Sequence, residues 1–169
     1  MFTSSRQRVT RRTAAGKSIV VIRIRVASQL PASPAALWAQ LTTAESLQYI
    51  CKPWIVFRLR GRQLLPTAWR EGDIFPLSLW LFGVVPGGRH TIRLERIDHH
   101  AFEVQSRESG TIVPVWDHLI TLRAAGPGVT DYTDEVDLYA GALTPLVAWW
   151  AVYFYRHRQR RWKKRLSGS

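Results

Sequence analysis

Residues 142–165, ALTPLVAWWAVYFYRHRQRRWKKR, constrain the fold more than any other stretch of the chain. No other segment is long and apolar enough for a major helix. At about 1.5 Å per residue it reaches roughly 36 Å, enough to cross a small domain. Its first half is apolar on every side and its second half is almost wholly basic. Leu143, Leu146, Val147, Trp150 and Phe154 form one stripe at helical spacing, and Trp149, Val152 and Tyr153 form a second. A sheet gripping the first stripe leaves the second in need of a cover: short helices, a partner copy or a membrane surface.

What precedes this helix reads, in order, as one strand, two short helices and about six strands. Val20, Ile22, Ile24 and Val26 alternate with Arg23 and Arg25, the pattern of a half-buried strand over 18–28. Ser33-Pro34 opens a helix carrying Leu37, Trp38 and Leu41; Thr42 or Thr43 caps another, which Pro53 ends. Strands follow over 54–60, 74–85, 89–97, 101–107, 112–123 and 129–139. The turns between them fall at 61–73, Pro86-Gly87-Gly88, Asp98-His99-His100, Glu108-Ser109-Gly110 and Ala125-Gly126-Pro127-Gly128. Sequential strands joined by short turns form an antiparallel sheet. The fold class is therefore α+β: a curved sheet of six to seven strands wrapping the C-terminal helix, in one domain over residues 18–165.

Charge divides the chain differently. The net charge of +12 sits wholly at the ends, with five basic residues in 1–17, seven in 156–169 and no acid in either. The body between them is neutral, which excludes a broad basic binding face. Residues 1–17 have no hydrophobic run and so no secretory signal; they read as a disordered basic leader, and 166–169 as a tail. One cysteine, Cys51, excludes an intrachain disulfide and fits a reducing, cytoplasmic setting.

The opening VASQLPASPAALWAQLTTAESLQYI and the closing TDEVDLYAGALTPLVAWWAVYFYRHRQRRW carry a resemblance. The order of elements resembles the helix-grip fold of the START-like, or Bet v 1-like (SRPBCC), superfamily. It looks most like its bacterial polyketide cyclase/dehydrase-like members. The resemblance implies a cavity between sheet and helix for an apolar small molecule, and brings no universal catalytic motif or cofactor. The basic leader and basic helix end are outside the family's common pattern.

Nucleophile-elbow, phosphate-loop, dinucleotide and HExxH motifs are all missing, and neither His99-His100 nor Cys51 has a motif around it. No cofactor or metal is expected. A hairpin about Gly126-Pro127 that pairs Ile120 with Tyr132 sets His118 opposite Asp134 on the apolar face. There they are the candidate acid/base residues, or a polar pair that only fixes register. Trp54, Trp80, Trp116, Tyr132, Trp150 and Phe154 are the expected aromatic walls around that pair. Arg156, Arg158, Arg160, Arg161, Trp162, Lys163, Lys164 and Arg165 combine an aromatic ring with cations, which suits an anionic membrane surface and a membrane-peripheral position. Nucleic acid ranks lower, because no binding motif stands beside those charges. Three functions remain open: non-enzymatic binding or transport of an apolar, lipid- or polyketide-like molecule; a cyclase/dehydratase using His118 and Asp134; and an interaction module docking through the basic helix.

Overall fold

In the computed structural model, residues 1–12, 16, 18–60 and 68–168 are described. Eight antiparallel strands form one curved sheet: β1 (Phe2–Arg12), β2 (Ser18–Leu30), β3 (Ile55–Leu59), β4 (Ile74–Leu81), β5 (Val85–Asp98), β6 (Glu103–Gly110), β7 (Val115–Gly126) and β8 (Val129–Tyr139). Helices α1 (Pro34–Leu41) and α2 (Ala44–Cys51) follow β2, and α3 (Thr144–Ser167) closes the chain. The sheet order is β1-β2-β8-β7-β6-β5-β4-β3. The short helices start where expected: the side chains of Ser33 and Thr43 accept hydrogen bonds from the Ala36 and Ser46 amides.

The eighth strand is the segment read as a disordered leader. Phe2–Arg12 pairs along β2, from Phe2 opposite Ser28 to Arg12 opposite Ser18. Residues 13–15 and 17 of that leader lie outside the described residues. The strand has no apolar alternation of its own, because most of its side chains face solvent. It is held by backbone pairing and by cations: Arg11 reaches Asp117 and Asp137, while Arg160 and Lys163 of α3 lie over the Phe2 ring. It covers the β2 edge that would otherwise be open for pairing. Ser4, Ser5 and Arg6 border one surface groove with Trp149, Val152 and Tyr153 of the second stripe of α3, of which Val152 is buried while Trp149 and Tyr153 are exposed.

Two turns differ from expectation. The β4–β5 reversal falls at Phe82-Gly83, both at positive φ, and not at Pro86-Gly87-Gly88, which lies inside β5. There a β-carbon on Gly87 would come within 3.2 Å of the Leu79 Cβ and 3.4 Å of its carbonyl oxygen, beside a register shift in the ladder. Glu108-Ser109-Gly110, read as a turn, is the end of β6. The turn expected over 61–73 lies outside the described residues as far as 67, and α3 runs through Ser167, into the segment read as a tail.

The core lies between the concave face and the three helices. Ile24, Val26, Leu122, Tyr132, Val136 and Leu138 from β2, β7 and β8 pack under Ala148, Ala151, Tyr155 and Trp162 of α3. The gripped stripe of α3 is Ala151, Phe154, Tyr155, Arg158, Gln159 and Trp162, one face at i, i+3, i+4, i+7, i+8 and i+11. Leu143 and Leu146, assigned to the gripped stripe from sequence, are exposed.

Candidate functional site

At the β1-β2-β8 side of the sheet α3 packs directly on the strands, and the Gln159 side chain donates to the Val26 carbonyl. Over β3–β7 helix and sheet part. They enclose a cavity of about 440 Å³, within the range of small-molecule sites. Its walls are mostly apolar: Ile55, Leu77, Ile92, Val104, Trp116 and Phe154 are among them. Five of its lining residues are also exposed, Arg89, Thr111, Ile112, Leu146 and Trp149, which places the mouth between the β6–β7 loop with the neighbouring part of β5 and the first turns of α3.

Apart from Arg89 and Thr111 at the mouth, the polar groups of the cavity gather at two carboxylates, Asp134 fully buried and Glu108 nearly so. Asp134 Oδ1 accepts from His118 Nε2 at 2.8 Å and from the Tyr132 hydroxyl at 3.1 Å, and Oδ2 accepts from Gln159 Nε2 at 2.9 Å. Glu108 bonds His90 Nε2 at 2.8 Å and accepts from the Ser106 hydroxyl at 2.7 Å. Burial pushes both carboxyls up. For Asp134, Arg158 and His118 outweigh that, and for Glu108 it is His90, so both lie below the usual carboxylate range. Burial equally opposes the charge of Arg158, yet Asp134 beside it keeps the guanidinium protonated. Tyr132 and Tyr155, desolvated and near those acids, are held as neutral phenols.

His118 and Asp134 do meet, but not by the expected register. β7 and β8 pair Ile120 with Asp134 and His118 with Val136, because the hairpin turns at Pro127-Gly128 and not about Gly126-Pro127, with a bulge between Ala124 and Gly126. The two-residue offset keeps both side chains on one face, and the contact is diagonal across the strands. With Nε2 committed to Asp134, His118 Nδ1 has no hydrogen-bond partner among the described residues, and the ring lines the cavity. Asp134 and Tyr132 are fully buried behind that wall and do not line it.

Of the aromatic residues expected in the wall, Trp116, Trp150 and Phe154 line it. Trp54 instead stacks on His157 at 5.6 Å, and Trp80 lies beneath the Arg58 guanidinium, 4.3 Å from it. The cationic helix end is largely turned onto the protein itself. Trp162 and Arg158 are buried in the gripped stripe, unavailable to a membrane surface. Arg156 donates to Ser4, Arg161 to the Tyr49 carbonyl, and Arg165 to Gln40 and Glu45. Lys163 packs on Phe2; Arg160 and Lys164 are exposed. Among the described residues no helix is long and apolar enough to cross a membrane.

Sequence reasoning missed His90, Ser106, Glu108 and Arg158. Glu108 was placed in a turn, although Val104, Ser106, Glu108 and Gly110 continue one alternating face. Arg158 was read with its basic neighbours, although it lies four residues after Phe154 and four before Trp162, on the apolar stripe.

No curated protein matches the sequence. Solved structures match the fold. A START superfamily protein from Mycobacterium smegmatis has TM-score 0.64 at 13% identity, covering 86% of this chain and 97% of that one. Ara h 8.0201 has 0.66 at 15%, covering 88% and 99%. The Zhui aromatase/cyclase from a Streptomyces strain has 0.61 at 16%, covering 86% and 93%. At such identities the likeness is one of architecture, the START-like, Bet v 1-like helix grip. A model of a domain of unknown function, DUF8410, matches residues 28–166, which contain every polar group of the cavity: the chain belongs to the DUF8410 family.

Proposed function

We propose that the protein binds an apolar, flat small molecule, lipid- or polyketide-like, in the cavity between β3–β7 and α3, and holds or carries it without chemical change. The observation that carries this reading is the cavity itself: about 440 Å³, walled mostly by aliphatic and aromatic side chains, with most of its few polar groups collected in one cluster. Native mass spectrometry of the protein purified from its own host tests it. A retained small molecule, or saturable binding of a hydrophobic fluorescent probe that Trp150→Ala weakens, is the expected result. A ligand-free mass together with no probe binding would overturn it.

One observation favours a second reading, a cyclase- or dehydratase-type enzyme. His118 is oriented by Asp134 through Nε2 and presents Nδ1 to the cavity, the arrangement of a general base. His118→Ala separates the two. It abolishes turnover of a polyketide-like substrate if the histidine is catalytic, and only changes affinity if the protein is a carrier. Contact with anionic membranes, if made, rests on Arg160 and Lys164 and not on the buried Arg158 or Trp162. At about 1 kcal/mol per cation it is weak.

A further inference from the structure

Arg158 is 5% exposed and lies in the cavity wall, yet its Nε is buried without a partner and its guanidinium makes no hydrogen bond to another side chain or carbonyl among the described residues. Its nearest carboxylate oxygen, Asp134 Oδ1, is 3.9 Å away and already accepts from His118 and Tyr132; Oδ2 accepts from Gln159. Glu108, the other buried acid, is taken by His90 and Ser106. The guanidinium rests instead against the Tyr155 ring, 4.9 Å from its centroid, and the His118 ring packs 5.0 Å from the same ring. A buried cation whose counter-ion is saturated by other donors retains a full set of directed donors with no acceptor, which is costly unless a ligand supplies one.

We infer that Arg158 is the anchor for an anionic group of the ligand, and that the group is a carboxylate. The planar guanidinium matches a carboxylate in a two-pronged bond. Two ionised acids at the same end of the cavity disfavour a dianion such as a phosphate monoester. The ligand is then an aromatic or aliphatic carboxylic acid, its apolar body along Trp116, Trp150 and Phe154 and its acid group inward. The imidazole of His118 lines the same wall. This rests on the cavity reading above and is more specific than it.

The test uses the full-length protein and two fluorescent probes of the same shape, pyrenebutyrate and its neutral primary amide, titrated at neutral pH. The wild type is expected to bind the carboxylate about ten- to a hundredfold more tightly than the amide, the usual gain for hydrogen bonds to a charged group. Arg158→Met is expected to lose that preference while still binding the amide, and Arg158→Lys to keep only part of it. Equal binding of the two probes by the wild type overturns the inference and leaves the cavity reading standing. Binding of neither probe overturns both. The wild-type comparison decides even where Arg158→Met does not fold, and a preference unchanged in Arg158→Lys overturns the two-pronged contact.

Discussion

Asp134→Ala is the most informative single substitution for the stability of this fold. The carboxylate is fully buried on β8 and joins three elements: His118 of β7, Tyr132 of its own strand and Gln159 of α3. Removing it leaves three donors without an acceptor and leaves Arg158 charged, buried and 3.9 Å from nothing that balances it. Breaking one side of a buried pair costs about 3–5 kcal/mol. For a domain of this length, at about 2–4 °C per kcal/mol, that lowers Tm by roughly 6–20 °C. Urea unfolding followed by tryptophan fluorescence measures the loss. The Asp134→Leu, Arg158→Met double variant is expected to recover much of it, because two apolar residues replace the whole pair.

The pH dependence is a second arm of the same experiment. The folded Asp134 carboxyl lies below its unfolded-state value of about 3.9. It therefore adds stability in full above that value and loses it as pH falls through the lower folded-state value. The gap between wild type and Asp134→Ala should be constant near neutrality and close below about pH 4. A loss under about 1 kcal/mol, or a double variant that loses the sum of the two single losses, would refute the coupling argued here.

Three other outcomes follow from particular contacts. A β-carbon at Gly110 would meet His90 Nδ1 at 2.8 Å and the Arg89 carbonyl at 3.0 Å, so Gly110→Ala should push His90 off Glu108 and cost about 1–3 kcal/mol by thermal unfolding; an unchanged Tm contradicts it. Cys51 is buried with its thiol pushed up to about 12 by desolvation, so iodoacetamide at pH 8 should label it only as fast as the protein unfolds, and rapid labelling of the native protein overturns that. Deleting residues 1–12 should leave a folded domain about 1–3 kcal/mol less stable, since β1 brings pairing and ion pairs but little apolar burial; light scattering should show self-association through the bared β2 edge, and an unfolded product refutes the reasoning.

The architecture was legible where periodicity and punctuation agree. Alternation over 18–28, the Ser33-Pro34 helix start, a turn within Ala125–Gly128 and the long apolar-to-basic helix all stand where the residues put them, although that turn is at Pro127-Gly128 and not at Gly126-Pro127. β1 was not legible, because an edge strand held by backbone pairing and cation contacts needs no apolar face. The β4–β5 turn was misplaced because Pro-Gly-Gly marks tight turns in general, whereas here those glycines accommodate a close approach to Leu79 next to a register shift.

The site was legible only in the part that one hairpin can show. His118 and Asp134 are sixteen residues apart on paired strands, and an error of two in register preserves the face, so the pair survives it. His90 and Glu108 come from β5 and β6, whose pairing shifts between Leu94 and Arg96; local sequence does not report such a bulge. Arg158 is the instructive case. Composition assigns it to a solvated basic run, and helical phase assigns it to the apolar stripe with Phe154 and Trp162. Phase describes where a side chain can point, while composition describes only its neighbours along the chain. A charged residue whose phase contradicts its composition is buried for a reason. Here the ion pair with Asp134 at 3.9 Å is too long for a hydrogen bond and no acceptor among the described residues takes its donors, and so the reason is sought in the ligand.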